Sequence, residues 1–223
     1  YPIITTIIQE IYARLQPILV QTAQILQTPL GPTIIRYSFK IIYFSRVKLM
    51  MDDQFVSLIF NSFECILSSI QNIENREFYL LVRFCSKILK QFRDYSTQKN
   101  SISNIEVFTQ MVINFALRFT AALAPLHLDC IIPFIQLLKL YSDYIPISSD
   151  FFPMLLCIST LTENDLSDFE VNPEVFYEYA YSKNNHNARS LCNSLIRYNK
   201  RCSKQFIQMA LFEQPSEPLL YLF

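Results

Sequence analysis

The sequence predicts an all-α protein, an α-solenoid in which antiparallel helix pairs stack along residues 1–223 as a single repeat segment. Three observations favour this fold. The chain has one glycine, its apolar residues recur at helical spacing, and helix-breaking residues divide it at fairly regular intervals. No polar block or flexible linker separates one half of the chain from the other, so we expect no domain boundary.

Gly31 is the only glycine. Tight hairpins, phosphate-binding loops and dinucleotide folds need several residues that readily adopt positive φ. The sequence therefore excludes a Walker-type loop, a GxGxxG turn and a multi-hairpin β-barrel. Helices joined by Pro, Asn, Asp and Ser turns remain as the predicted structure.

Several segments place apolar residues on one side of a helix, at spacings of three and four. The clearest stripe consists of Phe78, Leu81, Val82, Cys85, Ile88, Leu89 and Phe92. A second consists of Phe108, Val112, Phe115 and Phe119, and a third of Ala188, Leu191, Cys192, Leu195 and Ile196. Each stripe predicts a helix with one face in the core.

Turn-forming residues separate the helices at positions 29–32, 52–53, 72–75, 96–103, 125, 146–150, 172–173 and 184–187. The predicted helices span 3–28 (with a bend allowed at Pro17), 33–50, 54–71, 76–95, 103–124, 128–144, 150–161, 173–181, 187–200 and 203–212. Taken in order, they form about five antiparallel pairs at the ~40-residue period of HEAT repeats. A globular helical bundle is the alternative fold.

Net charge, uncharged stretches and cysteine content limit the partners and the compartment that the sequence predicts. Nineteen basic and nineteen acidic residues cancel, so no overall field directs the chain to nucleic acid or an anionic membrane. The longest uncharged stretch, 15–35, holds four glutamines and three prolines, so no membrane insertion is predicted.

The six cysteines lie mostly in apolar stripes without CxxC spacing, which predicts buried thiols in a reducing compartment. Tyr1 and the apolar ends predict an internal fragment covered by further repeats.

The sequence contains little that supports a catalytic site. His127 and His186 are the only histidines, and neither lies in a motif for nucleophilic catalysis. No acidic cluster has the glycine and spacing of a calcium loop. The sequence therefore predicts no enzyme activity, no cofactor and no metal site, and an all-helical enzyme is the least favoured hypothesis.

Charge is unevenly distributed near the C-terminal end. Residues 163–178 contain six acids and no base, whereas residues 183–204 contain six bases and no acid. Helix starts explain part of the acidic stretch, because residues 162–165 are close to a capping box and residues 172–174 place an asparagine before a proline. The rest is either a solvated face or a surface that binds a basic protein. The candidate protein-binding residues are Glu163, Asp165, Asp168, Glu170, Arg189 and Arg197.

Basic and aromatic residues interleave between positions 36 and 48, at Arg36, Tyr37, Lys40, Tyr43, Arg46 and Lys48. This pattern can indicate nucleic acid binding, but it also fits a helix that buries Ile34, Ile35, Ile41 and Ile42. Nucleic acid is therefore not a favoured partner.

Residues 161–176 read LTENDLSDFEVNPEVF and follow an apolar helix end, and an Ala-Arg-Ser-Leu-Cys helix start comes next at 188–192. This order resembles the central repeats of importin-β superfamily nuclear transport receptors, whose pattern is Thr-x-x-Asp/Glu-Leu, an aromatic residue and Asp-Pro-Glu-x-Phe. The resemblance covers residues 151–210, and residues 34–44 also resemble a helix of that family. It is greatest to the branch that contains the exportin of importin-α and the importers of ribosomal proteins and histones. Phe169 stands where the family has tryptophan, and Asn172 where it has aspartate.

The resemblance implies a receptor that shuttles between cytoplasm and nucleus through the nuclear pore. Its implied partners are a cargo protein, Ran-GTP and FG-nucleoporins. The resemblance also implies that one ligand stabilises a curvature of the superhelix to which another ligand cannot bind. Phe169 and Phe176 are expected to be docking hydrophobes rather than ligand contacts. The alternative function is a HEAT-repeat scaffold or adaptor without Ran dependence.

Overall fold

The computed structural model describes residues 2–45, 53–70, 76–98, 102–123, 128–141, 154, 155, 158, 167, 169–174 and 187–198. Within these ranges every regular element is a helix and there is no strand, so the all-α prediction is confirmed. The helices are α1 (Pro2–Val20), α2 (Thr22–Leu26), α3 (Gly31–Ser45), α4 (Asp53–Ser69), α5 (Arg76–Gln98), α6 (Ile102–Leu123), α7 (Leu128–Leu140) and α8 (Ala188–Tyr198). The predicted starts of α3 to α8 agree with the structure to within about two residues.

The first predicted helix, 3–28, is in fact two helices. α1 continues through Pro17, and the break falls at Gln21, whose φ of −96° and ψ of 16° depart from helical geometry. Pro17 removes one amide donor, but Ala13, whose carbonyl loses that donor, is exposed and can be hydrated. The bend allowed at Pro17 is therefore replaced by a break one turn later.

Gly31 allows α2 and α3 to approach each other closely. A Cβ atom on Gly31 would overlap with the carbonyl oxygen of Ile25 and lie 2.8 Å from the Cα of Leu26. The Gly31 amide donates to the carbonyl oxygen of Thr28 at 2.9 Å and so closes the connection between the two helices. The single glycine of the sequence therefore lies at a close contact between two backbone segments.

The chain forms two compact units, residues 1–118 and 119–223. In the first unit, α4 contacts α1 and α2, and α3 contacts α5. Rings of α4 and α6 also stack, with the centroids of Phe60 and Phe115 5.1 Å apart. If α1 and α2 are counted together, helices two positions apart in the chain therefore lie side by side, in two layers.

Phenylalanines from both layers meet in the core of the first unit. The ring of Phe60 stacks on Phe92 and on Phe115, with centroid distances of 5.0 and 5.1 Å. Phe63 meets Phe39 and Phe115 edge-on or at a steep angle, each at 5.5 Å. These five rings connect α3, α4, α5 and α6, and such pairs add to the free energy gained by burial alone.

The predicted α5 stripe is confirmed at all seven positions, none of which is more than 1% exposed. The α6 stripe is buried at Val112, Phe115 and Phe119, and the side chain of Phe108 lies outside the described part of the chain. Helical periodicity therefore located the inward faces of these two helices correctly.

Two buried hydroxyl groups connect α2 to α4. The hydroxyl oxygens of Thr22 and Ser62 lie 2.9 Å apart. Thr22 also reaches the carbonyl oxygen of Leu19 at 2.8 Å, and Ser62 reaches that of Leu58 at 2.9 Å. Each hydroxyl has one proton, so whichever of the two donates to the other, the group that accepts can still donate to its own carbonyl oxygen. Both polar groups are therefore hydrogen-bonded within an apolar interface.

In the second unit, α7 and α8 pack together. The buried residues of α7 are Ile131, Phe134, Ile135, Leu137 and Leu138, and those of α8 include Ala188, Leu191, Cys192 and Leu195. The predicted α8 stripe is thus confirmed at four positions, and the side chain of Ile196 lies outside the described part. Phe119 stacks on Phe134 with ring centroids 4.9 Å apart.

Four described cysteines are free thiols: Cys65, Cys85, Cys130 and Cys192. Cys85 and Cys192 are fully buried, and burial raises the pKa of both thiols well above its usual range. Cys65 and Cys130 are only half-buried. The prediction of buried thiols is therefore confirmed for two of the four and too strong for the other two, while Cys157 and Cys202 lie outside the described residues.

Candidate protein-binding surfaces

The acidic stretch 163–178 contains a helix boundary at Asn172. Residues 169–171 are helical, Asn172 is not, and Pro173 and Glu174 begin the next helical segment. This confirms the predicted start, in which asparagine precedes a proline whose missing amide costs no helical hydrogen bond. All described side chains of the stretch are exposed, including Phe169 at 47% and Val171 at 83%.

Of the six candidate protein-binding residues, Glu170 is exposed on this boundary and available to a partner. Glu163, Asp165 and Asp168 lie outside the described residues. Arg197 belongs to α8, but its side chain also lies outside the described part. Glu174, which is not among these six residues, is also exposed four positions after Glu170.

Arg189 was predicted to contact a partner, but its side chain is only 9% exposed. α8 begins after Asn187, whose Oδ1 accepts a hydrogen bond from the Ser190 amide at 2.6 Å. That start places Arg189 one turn before Cys192, which is fully buried, so both residues lie on the packed side of the helix. Arg189 therefore offers little surface to a second protein.

α3 is apolar on two faces. Its inward face is fully buried and consists of Ile35, Phe39 and Ile42. Its outward face is exposed and consists of Ile34 (41%), Tyr37 (50%), Ile41 (45%) and Phe44 (67%), and we refer to these four residues as the outward stripe. The interpretation in which Ile34 and Ile41 are buried is therefore wrong, because adjacent residues of a helix point about 100° apart. These isoleucines are visible in the sequence, but periodicity alone does not separate an exposed apolar face from a buried one.

Polar contacts fix α3 against α5. Arg36 and Glu77 form an ion pair with 2.8 Å between Nη2 and Oε2, and the Thr33 hydroxyl donates to the same carboxylate at 3.3 Å. At the other end, the Gln91 side-chain amide donates to the carbonyl oxygen of Tyr43 at 2.7 Å. The two helices therefore present their exposed faces side by side as one surface.

Cations lie over aromatic rings of this surface, of which Tyr37 is exposed and Tyr43 and Phe84 are half-buried. Arg36 and Lys40 are 4.7 and 5.7 Å from the ring centre of Tyr37. Lys87 of α5 is 4.7 Å from the ring of Phe84 and 5.8 Å from that of Tyr43. Of the basic and aromatic residues noted in the sequence, Arg36, Tyr37, Lys40 and Tyr43 thus share this surface, while Arg46 and Lys48 lie outside the described residues.

Other functional chemistry is sparse in the described residues. No group of three or more His, Cys, Asp and Glu side chains there could hold a metal ion. His127 and His186 both fall outside those ranges. None of the described helices combines the length and hydrophobicity that crossing a membrane requires.

Comparison of the chain with protein-family models, curated proteins and solved structures gives no match.

Proposed function

We propose that this chain is a central segment of an importin-β-like nuclear transport receptor, built from HEAT-type helix pairs, that binds a cargo protein and Ran. The observation that carries the proposal is the motif of residues 161–176 together with the exposed helix boundary at Asn172.

The packing of the first unit supports the repeat architecture. In a stack of helix pairs, each helix packs against the helix two positions along the chain, because equivalent helices of neighbouring repeats lie side by side. The contacts of α3 with α5 and of α4 with α1 and α6 have this spacing. A globular bundle with one central core does not require it.

The exposed acids suggest how the segment would bind. Glu170 and Glu174 lie on either side of the boundary at Asn172 and are open to solvent. Such a surface complements a basic cargo, and it would act mainly on the rate and specificity of association. Coupling to Ran requires that Ran-GTP and cargo stabilise different curvatures of the same stack. Passage through the pore, between cytoplasm and nucleus, would use FG-nucleoporins.

The test is capture of the full-length protein that contains this chain on immobilised Ran. Ran is loaded either with a non-hydrolysable GTP analogue or with GDP. Retention that depends on the GTP form is the expected result. Equal retention, or none, with both forms would contradict the proposal and favour a scaffold or adaptor without Ran dependence.

The acidic surface is tested separately with a purified core histone as a basic probe. Reversal of both exposed acids, E170K with E174K, should weaken histone binding by about tenfold at low salt. The matched control is E10K, which reverses an exposed acid on α1. If E170K/E174K binds like E10K, these two acids are not part of a cargo surface.

A further inference from the structure

The outward stripe of α3 is a continuous line of exposed apolar side chains along one side of the helix. Its residues follow the spacing i, i+3, i+7, i+10, so they form a line about 15 Å long. The inward face of the same helix is already filled by Ile35, Phe39 and Ile42, so the stripe is not needed for the core of this unit. A surface of two isoleucines and two aromatic rings in helical register suits the apolar side of another helix.

Positive charge borders this stripe on the α5 side. Lys87 lies against Phe84 and Tyr43, and the Tyr43 ring meets that of Phe44 in the stripe with centroids 5.4 Å apart. Arg83 and Lys90 lie one turn before and after Lys87 on the exposed face of α5. On α3 itself, Lys40 lies beside the stripe, with its Nζ 5.7 Å from the ring centre of Tyr37.

Acidic residues do not offset these charges. Residues 31–45 and 78–91 contain no aspartate or glutamate, and Glu77 pairs with Arg36. The α3–α5 surface is therefore apolar along one helix and basic along the other. Its complement is a segment with an apolar stripe and an acidic flank.

The geometry favours a helical peptide over single-stranded nucleic acid. Nucleic acid binding would use the bases as stacking partners, and it needs successive aromatic rings along the path. In the outward stripe, Ile34 and Ile41 alternate with Tyr37 and Phe44, and aliphatic side chains provide no such platform. Alternating aliphatic and aromatic residues instead match the anchor positions of a helix laid along a helix.

We propose that the α3–α5 surface binds an acidic amphipathic helix, whose apolar stripe packs on Ile34, Tyr37, Ile41 and Phe44 and whose carboxylates face Arg83, Lys87 and Lys90. This inference goes beyond nuclear transport and does not rest on it, because it uses only the side chains of α3 and α5. A neutral Phe-Gly peptide would find the apolar stripe but no partner for the three cations.

The test is fluorescence anisotropy of labelled peptides titrated with the 223-residue chain. The probe is a helical peptide of about 18 residues with leucines at i, i+3, i+7 and i+10 and glutamates beside them. Comparison peptides carry lysine in place of glutamate, the same residues in scrambled order, or a neutral Phe-Gly repeat, and a uridine oligonucleotide serves as the nucleic acid probe. We expect the acidic amphipathic peptide to bind at least about tenfold more tightly than each of these.

Variants of exposed residues identify the surface. I41S/F44S removes apolar contacts and K87E/K90E reverses charge, and each should weaken binding of the acidic peptide by about tenfold or more. The matched controls are V20S and R14E, which change an exposed apolar residue and an exposed cation on α1. Circular dichroism melting checks that all four variants keep the fold.

Three outcomes would overturn the proposal. One is equal affinity for the acidic and lysine peptides, and another is loss of binding in V20S or R14E as large as in the surface variants. The third is tight binding of the uridine oligonucleotide, sensitive to K87E/K90E, without binding of the acidic peptide; that result would assign the surface to nucleic acid. None of these outcomes bears on Ran, so failure here is distinguishable from failure of the proposed function.

Discussion

The backbone of Gly31 lies directly against that of Ile25, so the first turn of α3 and the last turn of α2 meet without a side chain between them. Thr28 reinforces this contact, because its amide and its hydroxyl both donate to the carbonyl oxygen of Ile25, at 2.9 and 2.8 Å. Gly31 itself begins a regular helix, so the position requires glycine for space rather than for a positive φ.

The first prediction concerns this contact. We expect G31A to lower the free energy of unfolding by about 3 kcal/mol, because the new Cβ meets backbone atoms that cannot move aside independently. Urea unfolding followed by circular dichroism measures the change. S57A, at an exposed position of α4, is the control and should change the stability by less than about 0.5 kcal/mol. A G31A protein as stable as the parent would mean that α2 and α3 are not this close.

The second prediction concerns Phe60, whose ring stacks between those of Phe92 and Phe115. F60A should cost about 4 kcal/mol of unfolding free energy, since it removes a buried ring and leaves a cavity between two helices. F44A makes the same chemical change on the exposed side of α3 and should cost less than about 1 kcal/mol. Similar losses for the two variants, measured by urea unfolding, would contradict the assignment of inward and outward faces.

The third prediction concerns the hydroxyl pair of Thr22 and Ser62. We expect T22V and S62A each to destabilise the protein by about 1 kcal/mol, because each removes a buried hydrogen bond but leaves the other hydroxyl a carbonyl acceptor. The double variant should be less destabilised than the sum, by about 0.5 to 1 kcal/mol, as groups in direct contact are coupled. Strict additivity in a double-mutant cycle would show that the two hydroxyls do not interact.

The fourth prediction concerns thiol reactivity. Iodoacetamide labelling of the native chain at neutral pH, read by mass spectrometry, should modify Cys65 and Cys130 well before Cys85 and Cys192. Raising the pH to about 9 should not bring in the buried pair, because burial holds their pKa values above that range and keeps them as thiols. In urea all four should react. Early labelling of Cys85 in the native chain would contradict its position in the α5 core.

The same raised pKa values fix the sign of a stability effect. A thiol whose pKa is higher in the folded than in the unfolded chain binds its proton more tightly when folded. Its contribution is therefore fully present below the unfolded pKa of about 8.5 and is lost as the pH rises above it. Urea unfolding should show a loss of stability between about pH 8 and 10, and C85A should reduce that slope.

Periodicity predicted most of the local structure because each helix needs one buried face. In α5, Phe78, Cys85 and Phe92 lie seven residues apart with aliphatic residues between them, and no other face of the helix is as apolar. Asn172 predicted a helix start for an equally local reason, since an asparagine before a proline is typical of the first turn of a helix. Asn187 lies in the predicted turn 184–187, and its side chain accepts from the Ser190 amide at the start of α8.

The sequence by itself determined the all-α class, the main helix boundaries and the inward faces of helices that have one apolar side. Tertiary packing decided the rest. α3 has two apolar faces, and only its packing against α5 and against Phe63 of α4 determines that Phe39 is buried and Phe44 exposed. Arg189 is a charged residue that the sequence alone suggests is at the surface, but it is buried because α8 packs on α7. Periodicity reports that a face can be buried, whereas burial requires a second element to cover it.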